Sequence, residues 1–407
     1  MKKKINIYEI PLFNLFIFLT MIGLLVVYSA SSTKGINIAN NNTLFLSNQI
    51  TRIIISFVLL ISIYYSNIII YLKKYSILIL IASWALIIWG IISTPDGASV
   101  QRTLFVFGRS VITTSDPARL AIIIFTASFI NSYKKDINNL KIITLKLVPY
   151  IAISIGLILY QPDLSSAFII LIIIVTMLIV GGMNFNKIFF SCLSLISNHI
   201  NRIIYFKKNN KIISKTISVC IIILILFIGF ISFYKTAIKE YQINRFKIWY
   251  NGIKNIEYEN LSKQQLDAYA ALNQGGLIGI GPNQSLMKEG VLPEAHTDYI
   301  LAITAEEYGL SGIILLFIMF FTFYFQGVKV SKNAPDIFYS MLSIGITYNI
   351  VFYFLYNASY VVGLTPPTGI TLPFFSYGGS HTIITGISIG ILMNISKYSN
   401  IYKNKYL

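Results

Sequence analysis

Apolar residues run along this chain in long blocks broken by short polar stretches, not in the strict alternation of a half-buried strand. Ile53–Tyr64 and Phe168–Val180 lie inside two such blocks. Stretches of about 17–25 predominantly apolar residues match the helix length that crosses ~30 Å of hydrocarbon. A helix satisfies its own backbone hydrogen bonds there, so the many Ile and Val residues, which favour strands in water, are expected in helices. Ten spans are predicted, centred near residues 20, 60, 84, 124, 152, 173, 226, 313, 350 and 388.

Composition agrees with that pattern. Charged residues make up 12% of the chain and hydrophobic ones 55%, with a mean hydropathy of +0.70. A soluble domain carries roughly 25% charged residues. A net charge of +17 would suggest nucleic acid in a soluble protein. Here alternating sides from a cytoplasmic N-terminus puts most Lys and Arg on the inner side, including Lys73, Lys74, Lys134, Lys135, Lys329, Lys332, Lys397 and Lys403. Of the 15 acids only Glu9, Asp136 and Asp336 fall there. That is the positive-inside asymmetry of a membrane protein, so no nucleic-acid partner is expected and both termini are placed in the cytoplasm. Met1-Lys2-Lys3-Lys4 before the apolar run Pro11–Ser29 looks like a signal peptide, but the run is too long for one and is read as a retained first span. Cys192 and Cys220 form no disulfide framework, and the three histidines are too scattered to ligate zinc.

Two polar stretches interrupt the spans. Residues 183–215 form a basic cytoplasmic linker facing lipid headgroups. Residues 236–297 form a long outer loop between the seventh and eighth spans. It contains Arg245, Lys247, the acidic pair Glu257 and Glu259, the run Gly275-Gly276-Leu277-Ile278-Gly279-Ile280-Gly281-Pro282, and Pro293-Glu294-Ala295-His296-Thr297-Asp298. A loop this long with ordered turn chemistry is usually functional. The glycine run fits no phosphate-loop or dinucleotide fingerprint and reads as backbone approaching another element closely.

Ionisable groups at membrane depth are functional by default, and here they gather on the outer side. Asp116 and Arg119 open the fourth span three residues apart, so they share a helix face and either neutralise each other or serve a site. Asp163, in the Gln161-Pro162-Asp163 turn, fits a helix N-cap. Glu306 and Glu307 are adjacent and point about 100° apart, so at most one faces a cavity. Asp298 sits where the polar loop meets an apolar helix; His-Thr-Asp there is a capping signature and equally a place for a catalytic carboxylate. Pro366 to Ser380 is dense in Pro and Gly between two spans, as a plain loop or as a re-entrant floor to an outward cleft.

Taken together, these motifs resemble those of the SEDS family (shape, elongation, division and sporulation proteins). The residues that carry the resemblance, in family order, are Gln161-Pro162-Asp163-Leu164; Gly275-Gly276-Leu277-Ile278-Gly279; Leu292 to Tyr299; Ala305-Glu306-Glu307-Tyr308-Gly309; and Thr371 to Ser380. The resemblance implies an all-α integral membrane fold, a single ten-helix bundle over residues 1–407, in a bacterial inner membrane. It implies a peptidoglycan glycosyltransferase that polymerises lipid II, the undecaprenyl-pyrophosphate-linked disaccharide peptide. Expected partners are a class B penicillin-binding protein acting as transpeptidase, other divisome proteins and membrane lipid. Leu-Pro-Glu-Ala-His-Thr-Asp and Thr-Gly-Ile-Thr-Leu-Pro-Phe resemble the septal branch more than the elongation branch; an elongation polymerase and a lipid II flippase remain the alternatives.

By the same resemblance Asp298 is the general base. Arg102, Arg119 and Arg245 are candidates to hold the pyrophosphate, with a divalent ion (magnesium or manganese) as an optional further ligand. Asp116, His296, Glu306, Ser376, Gly378 and Gly379 are the remaining candidates for the substrate site. The chain departs from the family pattern at Thr114-Ser115-Asp116-Pro117-Ala118-Arg119, where the family has Pro-Ser-Glu-x-x-Lys; at Gly97-Ala98, which Arg102 follows at longer spacing without a Trp; and at His381, which replaces a second Ser.

Overall fold

The computed structural model describes residues 9–94, 102–106, 109–184, 240–254 and 262–406. The expected span near 226, the linker beyond residue 184, Cys192, Cys220, His199, Gly97, Ala98, Glu257 and Glu259 lie outside the described residues. Within them the chain folds into thirteen helices: α1 (Glu9–Ala39), α2 (Leu44–Tyr65), α3 (Ile68–Lys74), α4 (Ser76–Ser93), α5 (Ser115–Ser132), α6 (Leu140–Lys146), α7 (Val148–Tyr160), α8 (Leu164–Val180), α9 (Glu240–Lys254), α10 (Lys263–Gly275), α11 (Ile300–Lys332), α12 (Ile337–Val361) and α13 (Gly379–Tyr406). Five of them, α1, α2, α4, α11 and α12, are long and apolar enough to cross a membrane; α6 and α7, bent by 42° at Leu147, make a sixth as a pair.

The fourth expected span became the centre of the bundle. Nearly every residue of α5 from Ala118 to Ile130 is buried, against α4, α8 and α12. A helix buried all round faces protein instead of lipid, which is why it tolerates Asp116 and Arg119 near its start. At the end of the molecule predicted to be cytoplasmic, Asp336 caps α12 through Tyr339 N (3.1 Å) and pairs with Lys73 of α3 at 2.6 Å.

The sequence reading anticipated only helices, but the segment between α4 and α5 contains a short antiparallel hairpin, β1 (Thr103–Val106) and β2 (Arg109–Thr113). Its register pairs Thr103 with Thr113 and Val106 with Arg109, with an irregularity between Leu104 and Phe105. The hairpin is pinned to the bundle where Thr113 N donates to Ser380 Oγ (2.6 Å) and Phe105 N to Ser93 Oγ (3.2 Å). These anchors leave Arg102, at its root, beside the Gln161–Asp163 turn.

The glycine-rich run meets the partner its composition called for. α11 breaks at Gly309, whose φ is +64°, and the backbone of residues 276–281 lies in the break. Ile280 N and Gly281 N donate to the Glu306 and Glu307 carbonyls (3.0 and 3.1 Å), while Leu310 N and Ser311 N donate to the Gly276 and Leu277 carbonyls (2.9 and 3.1 Å). These bonds replace the helical ones that the kink removes. A Cβ on Gly275 would collide with the Ala305 carbonyl, and one on Gly279 with the Glu307 carbonyl. The two motifs thus fit each other backbone to backbone.

Candidate functional site

A cavity of about 810 Å³ lies at the end of the bundle predicted to face outward, lined by Arg102, Leu164, Ser165, Phe168, Arg245, Phe246, Asp298, Tyr356 and the run Thr365–Gly369. Three residues expected from the sequence, Arg102, Arg245 and Asp298, therefore share one wall system although they come from three separate segments. The Pro/Gly-rich stretch after α12 contributes a wall through Thr365–Gly369, as a cleft-lining segment should.

Asp298 reaches this position because the loop ends one residue before the N-cap of α11, Tyr299. Its backbone carbonyl is held from α12: Asn357 Nδ2 donates to it at 3.0 Å, and the Tyr360 hydroxyl donates as well. The same Asn357 amide donates to the Ile370 carbonyl at 2.7 Å. One polar pair, i and i+3 on α12, thereby ties the Asp298 turn to the Gly369 loop. Gly369 has φ +74°, and a Cβ there would sit 3.0 Å from Asp298 Oδ2, so glycine keeps that side of the carboxylate clear. Burial, reinforced by the negative Glu294 nearby, pushes the Asp298 carboxyl up to about 6, with Arg102 and Arg245 pulling the other way. That is a stronger base than an ordinary aspartate and still mostly ionised at neutral pH.

Arg102 Nη2 donates to the Pro162 carbonyl, and its Nη1 lies 3.9 Å from Asp163 Oδ1. Arg245 comes from α9, which is tied to the bundle where Trp249 Nε1 donates to the Gly363 carbonyl (2.9 Å). The cavity's apolar parts come from Leu164, Phe168, Phe246, Pro366 and Pro367. The lining holds a carboxylate and two guanidinium groups, and the rest is greasy or hydroxyl-bearing. Such a site suits an anionic headgroup on a hydrocarbon tail.

The other expected residues sit elsewhere and bind protein. Arg119 is 2% exposed, pairs with Asp116 at 2.8 Å and stacks over the Tyr353 ring at 3.8 Å; His381 Nδ1 lies 3.7 Å from Asp116. This buried knot lies outside the cavity lining. His296 packs its ring between Phe45 and Tyr377; burial and then the positive Lys34 push its pKa down to about 4, so it is neutral at physiological pH. Glu306 accepts from Ser285 Oγ and from Leu286 N (2.8 Å), while Glu307 accepts from Ser29 Oγ and Ser285 N. Ser376 Oγ links Leu372 N to the Thr297 carbonyl, both at 2.6 Å. Gly378 N donates to Gln49 Oε1 (3.3 Å), and Gly379 begins α13 against the Arg52 side chain.

Among the described residues no group of three His, Cys, Asp or Glu could hold a metal ion, and the cavity lining contains one carboxylate.

Asn357 and Tyr360 escaped the sequence reading. Their signal was available: an Asn inside an otherwise apolar span is costly unless it has partners.

Comparison with known proteins adds three findings. The profile of the FtsW/RodA/SpoVE family, described as cell cycle proteins, matches residues 10–401. The chain is 28% identical over 411 residues to a protein of Bacillus subtilis named probable peptidoglycan glycosyltransferase FtsW, covering all of this chain and 94% of that one. Two solved structures share the fold: a chain of a peptidoglycan synthase complex described as coordinating polymerisation and crosslinking (TM-score 0.68, 19% identity, 95% and 97% of the chains covered), and the rod shape determining protein RodA of Thermus thermophilus (TM-score 0.59, 16% identity, 94% and 95% covered).

Proposed function

The chain belongs to the FtsW/RodA/SpoVE family of cell cycle proteins, and we propose that it is a multi-pass membrane glycosyltransferase that joins lipid II units into glycan strands during cell division. The observation that carries this reading is the meeting of Asp298 with Arg102 and Arg245 in one cavity, with the carboxyl raised to about 6.

Glycan polymerisation requires a sugar hydroxyl to attack an anomeric carbon whose leaving group is a lipid-linked diphosphate. The hydroxyl is a poor nucleophile at neutral pH, so a base within hydrogen-bond reach accelerates attack, typically by 10²–10⁴-fold. Asp298 takes that proton as the new C–O bond forms. Arg102 and Arg245 receive the diphosphate and stabilise the negative charge that grows on it as the old C–O bond breaks. Leu164, Phe168 and Phe246 offer the apolar surface along which a prenyl chain enters. A single displacement inverts the anomeric centre, by the same opposite-face logic as inverting glycosidases. Asp116 and Arg119 stabilise the α5 start behind the site; His296, Glu306, Ser376, Gly378 and Gly379 shape the loops around Asp298.

In this reading the bundle has ten spans in the inner membrane with both termini cytoplasmic, and the 236–297 loop faces the side where lipid II sugars are displayed. A class B penicillin-binding protein crosslinks the product. The similarity to the B. subtilis protein named as a glycosyltransferase supports the reaction, and the likeness in fold to a chain of a peptidoglycan synthase complex supports a synthase partner. The test is polymerisation of lipid II by the purified full-length protein with its transpeptidase. The wild type is expected to make glycan strands, and Asp298→Asn to make none while still co-purifying with the partner. Polymerisation by Asp298→Asn at the wild-type rate rules out the assignment.

A further inference from the structure

The Gln161-Pro162-Asp163 turn has no part in the chemistry above, yet it is built with unusual care. Gln161 is fully buried; its Nε2 donates to Thr114 Oγ1 (2.9 Å) and to the Ile87 carbonyl (3.3 Å), locking the turn to α4 and to the start of α5. The Pro162 carbonyl accepts from Arg102 Nη2. Asp163 follows with a nearly buried side chain; its Oδ1 accepts from Ser166 N at 3.2 Å, capping α8, and faces Arg102 Nη1 at 3.9 Å. Two of the guanidinium's nitrogens are thus engaged from one side, while its Nε is buried and has no hydrogen-bond partner.

A guanidinium beside Asp298 has a competing choice. Left free, it would swing to the catalytic carboxylate, pairing with the base and surrendering the diphosphate. The Pro162 carbonyl and the Asp163 carboxylate engage two of its nitrogens and restrain that swing.

We infer that the Gln161–Asp163 turn is a socket that aims Arg102 into the cavity, with Asp163 a positioning residue for the cation that receives an anionic diphosphate headgroup. This rests on the reading of the cavity given above. Asp163 acts through Arg102, so its loss weakens substrate binding without touching the reacting atoms.

Asn caps a helix about as well as Asp, so Asp163→Asn keeps the start of α8 and removes only the charge facing Arg102. Steady-state polymerisation of lipid II by the full-length protein with its transpeptidase separates the roles. Arg102→Gln and Asp163→Asn are each expected to raise KM about tenfold, the loss of one charge-assisted contact, with kcat changed far less. The double variant should be no worse than Arg102→Gln alone, because Asp163 has nothing left to aim. Asp163→Ser, another good cap, serves in place of Asp163→Asn if that variant does not accumulate, with the same expected result. If Arg102→Gln raises KM and Asp163→Asn does not, or if the two effects multiply, the socket is refuted while the cavity reading stands. If Arg102→Gln leaves KM unchanged, the cavity reading fails and the socket with it.

Discussion

A carboxylate held ready as a base is held at a cost to the fold, and Asp298→Asn should expose that cost. The Asp298 carboxyl lies at about 6 against 3.8 for a free side chain. A folded-state pKa above the unfolded value means the ionised form is disfavoured in the native protein. Stability is therefore greatest below the unfolded pKa and falls as pH rises from about 4 through about 6. The full shift corresponds to about 3 kcal/mol above that range. The carboxylate touches the cavity and is partly screened by water, so roughly 2 kcal/mol is expected in practice. Asn has nearly the same shape and no charge. The variant should consequently be more stable than the wild type by about 2 kcal/mol at pH 7.5 and equal to it near pH 4, while losing polymerase activity. The assay is thermal or denaturant unfolding of the purified proteins in detergent at several pH values. An Asn variant no more stable at pH 7.5, or an advantage that persists unchanged at pH 4, would refute the claim that the site is strained by its own charge.

Other consequences follow from contacts already described. Gly279→Ala places a methyl against the Glu307 carbonyl at a φ of +92°, and should destabilise by about 3 kcal/mol or more, read as a lower melting temperature or failure to accumulate. Asn357→Ala removes the amide that spans the Asp298 and Ile370 carbonyls; kcat should drop by at least tenfold with KM little changed, and unchanged kcat would show that the base needs no such support. Glu294→Gln removes a negative neighbour that raises the Asp298 pKa, so the acid limb of the pH–rate profile should move to lower pH. A single cysteine in place of Asp298, in an otherwise cysteine-free chain, should react with an impermeant maleimide added outside intact spheroplasts; labelling only after lysis contradicts the orientation.

Much of this architecture could be read from the residues. Apolar block lengths located the helices of the described residues, while the positive-inside asymmetry supplies an orientation that the maleimide labelling above tests. Gly275 to Gly281 announced a close backbone approach, although its partner, the break at Gly309, depends on a contact between segments some thirty residues apart and left no local mark. Asp298, Arg102 and Arg245 were singled out, but nothing in their spacing showed that they line one cavity. Asp116 and Arg119 illustrate the opposite case. Their i, i+3 spacing permitted mutual neutralisation as readily as a site, and the burial of α5 on all sides, a tertiary property, turned them inward. The hairpin of Thr103–Thr113 was missed because a short strand pair carries a weak periodic signal next to blocks of twenty apolar residues. Asn357 carries no charge to mark it, although a buried amide in an apolar span makes a comparable demand for partners.

Catalysis as proposed depends most on Asp298 removing a proton from the acceptor hydroxyl with a pKa far above that of an ordinary aspartate. The pH dependence of kcat/KM for lipid II polymerisation by the wild-type complex measures this directly. A rate that rises tenfold per pH unit below about 6 and levels off above it is the predicted result. A profile already flat between pH 4.5 and 7, roughly what an unperturbed carboxylate would give, would contradict it.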